Sequence, residues 1–368
     1  MGWETEVLVI GGGPAGLAAA IAARKKGFEV TVADGAKPPI DKPCGEGLMP
    51  TAMEALRELG VEIGPGDGQV LRGVRFVDAT SSVEADYLGA SGFGVRRTVL
   101  HQRMVERAQE CGVNLLWNTT VEGLSVEGAI LSGVVMKARW IVGADGIHSR
   151  VRNWIGLNGK ARQEMRFAQR RHFQVQAWTD RMEIHWGQSL QAYVTPLSSD
   201  ETCVSLISRD PQMRLEDAWR EFPKLASYLR DARPTSAERG AVTVTRRLRQ
   251  VYRGSIALTG DASGSVDAIT AEGLSLSFHQ AIALADAMEE GKLESYQRAH
   301  RQITSRPNTM GWLLLLLDRY PSLRRRALRG LASDPELFAR LLAAHLGEAS
   351  SRFLAATSLR LGWQFLTA

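Results

Sequence analysis

The sequence predicts an α/β + β protein: a Rossmann-like domain, an inserted antiparallel-sheet domain and a C-terminal helical segment. Three observations predict it. Near the N-terminus a glycine-rich turn sits between an apolar strand and an Ala-rich helix. In the middle of the chain, residues 161–250 alternate apolar and polar side chains with a period of two, as strands do. Beyond residue 298 the texture becomes helical, rich in Leu and Arg.

The first element is "EVLVI" from Glu6, a buried-strand run. Gly11, Gly13 and Gly16 follow it as G-x-G-x-x-G, with Pro14 and Ala15 between the last two. An Ala-rich helix runs to Gly27, and "FEVTVAD" makes a second strand ending in Asp34. Each part has a physical role in holding a dinucleotide. The first glycine permits the tight turn. The second lets backbone amides approach a pyrophosphate, and the third lets the helix pack on the strand. The helix N-terminus stabilises phosphate charge, and Asp34 accepts from a ribose diol. Packing alone is the plainer reason for such glycines, but strand, helix, second strand and acid all stand in place. This segment does not separate FAD from NAD.

After the second strand comes "KPCGEGLMP", 42–50, with Cys44 between a proline and a Gly-Glu-Gly turn. Downstream, Arg97 leads into a helix, and "VNLLWNTTV" reads as one strand ending near Val121. Within 161–250, "HFQVQAW", "MEIHWG", "AYVTPL", "TCVSLIS" and "GAVTVT" read as a half-exposed antiparallel sheet. His172, His185 and His279 stand isolated in the sequence, and structural roles are expected of each. No metal-ligand cluster or nucleophile–base pair can be assembled within 161–250, and no metal is expected. The last helix, "SDPELFARLLAAHLG", has Ser333 or Asp334 as N-cap, Pro335 in its first turn and Gly347 as its stop.

Composition bounds the function. With 368 residues, 44% of them hydrophobic, the chain can build one large or two ordinary domains. Cysteines 44, 111 and 203 form no disulfide framework and fit a reducing compartment. No signal-peptide layout opens the chain, and the longest apolar run, "GWLLLLL" at 311–317, is too short to span a bilayer. A cytoplasmic location is therefore expected. Aromatic–basic motifs and zinc spacings are missing, so no nucleic-acid partner is expected. From Arg298 onward there are eleven arginines and four acids, a balance of +7, which leaves −2 for the rest of the chain. A solvated surface is the plain reading of that balance. Peripheral contact with an anionic membrane through the basic C-terminal region is the sharper one.

Two further segments carry a resemblance. "ARWIVGADGIHSRVR", 138–152, delivers Asp145-Gly146 and then Ser149 and Arg152, and it resembles the Asp-Gly fingerprint of the flavoprotein hydroxylase superfamily. "GSIALTGDASGSVDAITAEGLSLSFHQAIALADAM", 254–288, resembles that superfamily's Gly-Asp motif, with Asp261 in the place that holds the ribityl chain of FAD. Gly273 and Leu274 open the following helix, whose free N–H groups would face the flavin's pyrimidine edge. The Pro-Cys-Gly of the 42–50 loop resembles geranylgeranyl reductases, and Gly-Glu-Gly-Leu-Met-Pro is similar to a run in flavin-dependent halogenases.

The resemblance implies FAD as cofactor and NAD(P)H as transient reductant. It implies that Gly11, Gly13, Pro14, Ala15, Gly16, Asp34, Cys44, Gly45, Gly47, Arg97, Val121, Asp145, Asp261, Gly273 and Leu274 meet FAD. An ordinary surface cation is the plain reading of Arg97, and Arg96 and Arg103 are lesser alternatives to it. The implied FAD-binding domain is made of 1–68, 94–160 and 251–298. Residues 69–93 make a first excursion into the substrate domain, 161–250 its antiparallel sheet, and 299–368 the C-terminal helices.

Three chemistries compete within such a superfamily. The first expectation is an NAD(P)H-driven monooxygenase that uses molecular oxygen, by way of a flavin hydroperoxide, to hydroxylate a small hydrophobic aromatic or polyketide-like substrate. The alternative is a saturase of prenyl double bonds similar to geranylgeranyl reductases. Against it, their Tyr-x-Trp-x-Phe-Pro strand is matched only by Tyr193-Val-Thr-Pro196. A halogenase ranks third, because the Trp-x-Trp-x-Ile-Pro motif is missing, and a non-enzymatic flavin sensor ranks last. Catalytic side chains are not identified. Cys44 is the one candidate, set against the simpler role of a small residue in a loop that approaches the flavin.

Overall fold

The computed structural model describes residues 4–158 and 165–347. In chain order the first half contains β1 (Thr5–Ile10), α1 (Pro14–Lys25), β2 (Val30–Asp34), β3 (Gly47–Leu48), α2 (Pro50–Leu59), β4 (Gly68–Leu71), β5 (Gly73–Val77), β6 (Ser82–Asp86), β7 (Gly92–Val95), α3 (Arg97–Glu110), β8 (Asn114–Trp117), β9 (Val121–Leu124), β10 (Gly128–Leu131), β11 (Val134–Gly143) and α4 (Arg150–Trp154). The second half contains β12 (Arg166–Gln174), β13 (Met182–Trp186), β14 (Leu190–Pro196), β15 (Glu201–Ser208), α5 (Leu215–Ala218), α6 (Pro223–Leu229), β16 (Arg233–Pro234), β17 (Arg239–Thr243), β18 (Tyr252–Arg253), β19 (Ile256–Leu258), α7 (Gly273–Glu289), α8 (Leu293–Arg319), α9 (Pro321–Ser333) and α10 (Pro335–Leu346).

The first sheet has the order β18-β19-β11-β1-β2-β8. β19, β11, β1, β2 and β8 run parallel. Parallel strands need cover on both faces, so β1 and β2 read as continuous apolar runs. α1, α2, α3 and α7 cover one face, where Leu17, Ile21, Leu56, Met104 and Phe278 fill the core. Alanines dominate α1 because it lies close against β1 and α7, and every alanine from 18 to 23 is buried.

The second sheet has the order β16-β12-β15-β14-β13-β5-β6, with β17 on β12. All its pairs are antiparallel except β13 with β5. The excursion strands β5 and β6 thus complete its edge, and a small β3-β7-β4 sheet joins the two large ones.

Two expectations are corrected. The central strands are not half exposed: β13 and β14 are buried at every residue. α8, α9 and α10 pack on one face and α5 and α6 on the other. The polar residues of the alternation are buried with partners, as Glu183 is with His185 and Gln191 with Asp318. Secondly, 113–121 is not one strand. Asn118 takes a left-handed turn at φ 55°, so β8 ends at Trp117 and Val121 opens a separate strand paired with β10.

α10 follows its capping signals. The Asp334 side chain accepts from Leu337 N, and Gly347 ends the helix at φ 90°. Among the described residues no helix is long and apolar enough to cross a membrane.

Candidate functional site

β1 runs into Gly11 at φ 111°, where a Cβ would collide with the Ala144 carbonyl. At Gly16 a Cβ would strike the Gly11 carbonyl. Only glycine at both positions lets α1 start this close to β1 and to the end of β11. At Gly13 a Cβ would meet nothing within 4 Å. Pro14 has no N–H, and no side chain caps the helix, which leaves the Ala15 and Gly16 amides without intrahelical partners. A phosphate is the natural acceptor for them.

Asp34 closes this turn. Its carboxylate accepts from Gly12 N at 2.6 Å and from Ala36 N at 2.7 Å. Trp117 flanks Gly12. His101, fully buried on α3, has Nε2 2.8 Å from the Gly12 carbonyl. Burial pushes its imidazole below the ordinary range, so a neutral ring donates there.

The Asp-Gly and Gly-Asp segments meet. Asp145 accepts from Arg150 N and Val151 N, and Ser149 Oγ accepts from Arg152 N, so the two side chains together start α4. Asp145 Oδ1 is buried without a partner. The Arg152 guanidinium donates to the carbonyls of Ile147, Asp261 and Ala262 and clamps one segment onto the other. The Asp261 side chain is open to a crevice yet walled by protein. That wall pushes its carboxyl up, while Lys42, Arg97 and Arg152 pull it back.

Arg97, the first residue of α3, keeps a buried Nε with no partner. Its two rivals are engaged elsewhere, Arg96 with Glu201 and Arg103 with Asp67. Val121 lies at the start of β9, buried against β10.

The 42–50 loop is gripped from behind by the second sheet. Thr195 Oγ1 donates to the Gly45 carbonyl at 2.7 Å, and Ser205 Oγ donates to the Cys44 carbonyl at 3.4 Å. Glu46 takes the left-handed conformation at φ 59°. Its side chain accepts from Arg97 N at 2.9 Å and lies 2.6 Å from His172 Nε2. Arg170 lies 3.9 Å from the same carboxylate and bonds Asp41. Cys203 completes the buried group, and burial pushes its thiol up. Glu46, His172 and Cys203 offer ligand atoms within 4.8 Å of one another, but the Arg170 guanidinium already supplies positive charge to the group.

Gly45 and Gly273 have nothing within 4 Å of a Cβ, whereas Gly47 faces Met182 and Thr195. The backbone at 45 is therefore open to a ligand, and the backbone at 47 packs on the sheet. Gly273 begins α7 with no side-chain cap, and Leu274 follows it half-buried.

Beyond Met49 lies an apolar cavity of about 240 Å³ between the second sheet and α8–α10, walled by Phe76, Met182, Ile184, Leu314 and Phe338. Ile269, Thr270 and Ala271, which lead into α7, also line it.

The residues fit FAD. Glycines leave open backbone at 13, 45 and 273, a carboxylate and three cations converge at Asp261, and Arg97 Nε and Asp145 Oδ1 keep unused hydrogen-bond capacity. Sequence reading passed over Glu46, His101 and Thr195, and it read His172 as isolated. The one local signal was an acid placed between two glycines at 45–47.

A Rossmann-like nucleotide domain crossed by a second sheet, with an apolar cavity at the junction, defines an FAD-dependent oxidoreductase. Residues 4–292 match the FAD binding domain family, and the chain belongs to it. It is an enzyme of the flavoprotein hydroxylase and geranylgeranyl reductase superfamily. It is 27% identical over 346 residues to a menaquinone reductase of Mycobacterium tuberculosis, covering 86% of this chain and 81% of that protein. It is 29% identical over 295 residues to a digeranylgeranylglycerophospholipid reductase of Methanothermobacter thermautotrophicus, covering 74% and 73%. Its fold is similar to that of p-nitrophenol 4-monooxygenase from Pseudomonas putida, with a TM-score of 0.79 at 18% identity over 94% of this chain and 99% of that one.

Proposed function

We propose that this enzyme reduces carbon–carbon double bonds in the polyprenyl part of a lipid, with NAD(P)H reducing its FAD. The apolar cavity carries this reading. Met49, at the end of the Cys44 loop, and the Ile269–Ala271 segment before Gly273 both line it, and aliphatic side chains dominate its wall. Such a wall favours an isoprenoid chain over a polar aromatic, and each buried methylene contributes about 0.8 kcal/mol. The two curated relatives named above are reductases, one of menaquinone and one of a digeranylgeranyl lipid. These observations move reduction ahead of hydroxylation, which the sequence alone ranks first.

FAD, when bound, supplies a two-electron reductant. The chain's own residues do the rest. Lys42, Arg97 and Arg152 surround Asp261 with positive charge. Thr195 and Ser205 hold the Cys44 loop. Met49, Phe76 and Leu314 give the cavity an apolar wall.

Hydroxylation remains the second reading. β14 carries Tyr193-Val-Thr-Pro196 in place of the reductases' Trp and Phe, and the Tyr193 hydroxyl is spent on the Ile269 carbonyl. Access for a lipid substrate is proposed at α8 and α9, on the cytoplasmic face of a membrane. Leu313, Leu316 and Leu323 belong both to those helices and to the cavity wall.

The deciding experiment reduces the holoenzyme with NADH or NADPH without oxygen and then offers prenyl lipids. Products gaining two hydrogens, with flavin reoxidation, support reduction. Oxygen-dependent gain of one oxygen atom by a phenol, with prenyl lipids inert, replaces it with hydroxylation.

A further inference from the structure

The cavity wall is apolar apart from Arg326 of α9 and the stretch at Thr270. There His345 of α10 joins the lining beside Thr270 and Ala271, and its Nε2 lies 3.5 Å from Oε2 of Glu272. Glu272 is 6% exposed and His345 8%. Among the described residues Glu272 Oε2 and His345 Nδ1 are buried and make no well-formed hydrogen bond, although the Thr270 backbone lies within reach of the imidazole. Leaving such atoms unpaired costs about 1–3 kcal/mol each, so a purely structural role is a poor account of them. Helix capping is the other plain account, and it fails as well: Glu272 stands at the N-cap of α7, but its side chain accepts from none of the helix amides.

Burial pushes the Glu272 carboxyl up to about 8, with Arg306 of α8 pulling against it. Burial pushes the His345 imidazole down to about 4; the Thr270 backbone opposes this and Arg306 adds to it. Arg306 is the charged side chain that acts on both groups. At neutral pH a neutral carboxylic acid therefore faces a neutral imidazole at the wall of an apolar chamber, one residue before Gly273.

We propose that Glu272 and His345 are the proton-delivery pair of this cavity, with Glu272 storing the proton and His345 presenting it to the bound chain. The proposal rests on the reading of the enzyme as a double-bond reductase. Saturating a carbon–carbon double bond adds one hydride to one carbon and one proton to the other; reduced FAD supplies the hydride with its electron pair. Nδ1 is sealed in the resting ring, so the imidazole turns to bring it to the cavity; the proton then moves from Glu272 Oε2 to His345 Nε2 as the Nδ1 proton leaves for the substrate carbon. The carboxylate left behind is reloaded from water, and proton exchange with water restores the starting tautomer of the ring.

The test uses the FAD-loaded chain, with infrared difference titration and turnover of a prenyl lipid in parallel. The wild type is expected to show a protonated-carboxyl band that disappears as pH rises through about 8 and is absent from Glu272→Gln. Turnover is expected to fall over the same pH range. Glu272→Gln is expected to lose about 100-fold or more in turnover, a usual size for lost acid–base assistance, with FAD and lipid affinities within about three-fold of wild type. His345→Gln should lose turnover similarly, and it carries the test if Glu272→Gln does not fold.

A missing band, or turnover in Glu272→Gln within about three-fold of wild type, overturns the pair's role while leaving the reductase reading standing. A wild type that saturates no prenyl chain overturns the reductase reading and the proton-delivery role together.

Discussion

Glu46 and His172 lie 2.6 Å apart, both fully enclosed, and they tie the Cys44 loop to the second sheet. Glu46 reaches this contact from a left-handed backbone at φ 59°, a conformation that costs a non-glycine residue about 1 kcal/mol or more. Its carboxylate also receives Arg97 N, so one side chain fixes the Cys44 loop, the start of α3 and the sheet.

Glu46→Ala should therefore destabilise the protein by about 3 kcal/mol, the usual range for breaking a buried pair, and weaken FAD binding. Glu46→Gly removes the same pair but relieves the backbone, so it should be about 1 kcal/mol less damaging. Urea unfolding and flavin fluorescence titration of the two variants measure this. Equal stability in both would show that the backbone stores no strain.

Asp261→Ala should cut FAD affinity by about 10- to 100-fold, the size of a lost charge-assisted hydrogen bond, with little change in unfolding. The side chain faces open crevice, makes no structural hydrogen bond and sits among three cations. Equal FAD affinity in variant and parent would remove Asp261 from the site.

The N-terminal unit was legible because its constraints are local. Gly11 and Gly16 are forced by carbonyls within a few ångströms, and no other residue fits. The group behind the Cys44 loop was not legible, because Glu46 and His172 are 126 positions apart. Cys203 was hidden in the same way. It has no sequence neighbour among the cysteines, yet its thiol lies 3.8 Å from the Cys44 carbonyl. Alternation in the second sheet misled for a physical reason. Glu183, Gln191 and Thr195 look outward-facing, but each finds a buried partner under a second layer of structure.

His300 gives the fold a pH dependence. It is buried beside Ser263, with Nε2 2.9 Å from Oγ, and burial with Arg301 nearby pushes its imidazole down to about 4. The unfolded imidazole titrates near 6.5, so between these values the unfolded chain binds the extra proton. The stabilising contribution is complete above about pH 6.5 and is lost as pH falls toward 4, amounting to about 3 kcal/mol. His300→Asn should lose this dependence, so the stability gap between wild type and variant should narrow from pH 7.5 to 4.5 in urea unfolding. A constant gap would place the imidazole's titration at its ordinary value.

The surface of α8 and α9 should bind anionic membranes. Trp312, Leu313 and Tyr320 are 53%, 41% and 50% exposed there, and Arg319, Arg325, Arg326 and Arg329 are exposed beside them. Each cation near an anionic surface contributes about 1 kcal/mol, so Arg325→Glu with Arg329→Glu should weaken binding by at least about 30-fold. Liposome flotation should show binding that fades with salt. Absence of co-flotation at low salt ends the idea.

Cys44 separates two accounts of its loop. Its carbonyl is held by Ser205, its Sγ receives Glu46 N at 3.4 Å, and it is half-buried beside open backbone at Gly45. If the thiol only allows a close approach, Cys44→Ser keeps FAD and most turnover, because serine is nearly the same size and also accepts from Glu46 N. If the thiol donates a proton during reduction, Cys44→Ser binds FAD normally and loses turnover. Reactive thiols need an accessible, electropositive setting. Lys42 stands two residues away in the sequence, but the thiol is half-buried and already accepts from Glu46 N. The first outcome is therefore expected: FAD occupancy unchanged and turnover within about three-fold of wild type, well short of the 100-fold loss that removal of an acid–base group brings. Cys44→Ala checks the hydrogen bond separately, since it deletes the acceptor for Glu46 N without adding bulk. A loss of turnover in Cys44→Ser at full flavin occupancy would make Cys44, and not the Glu272–His345 pair, the source of the proton.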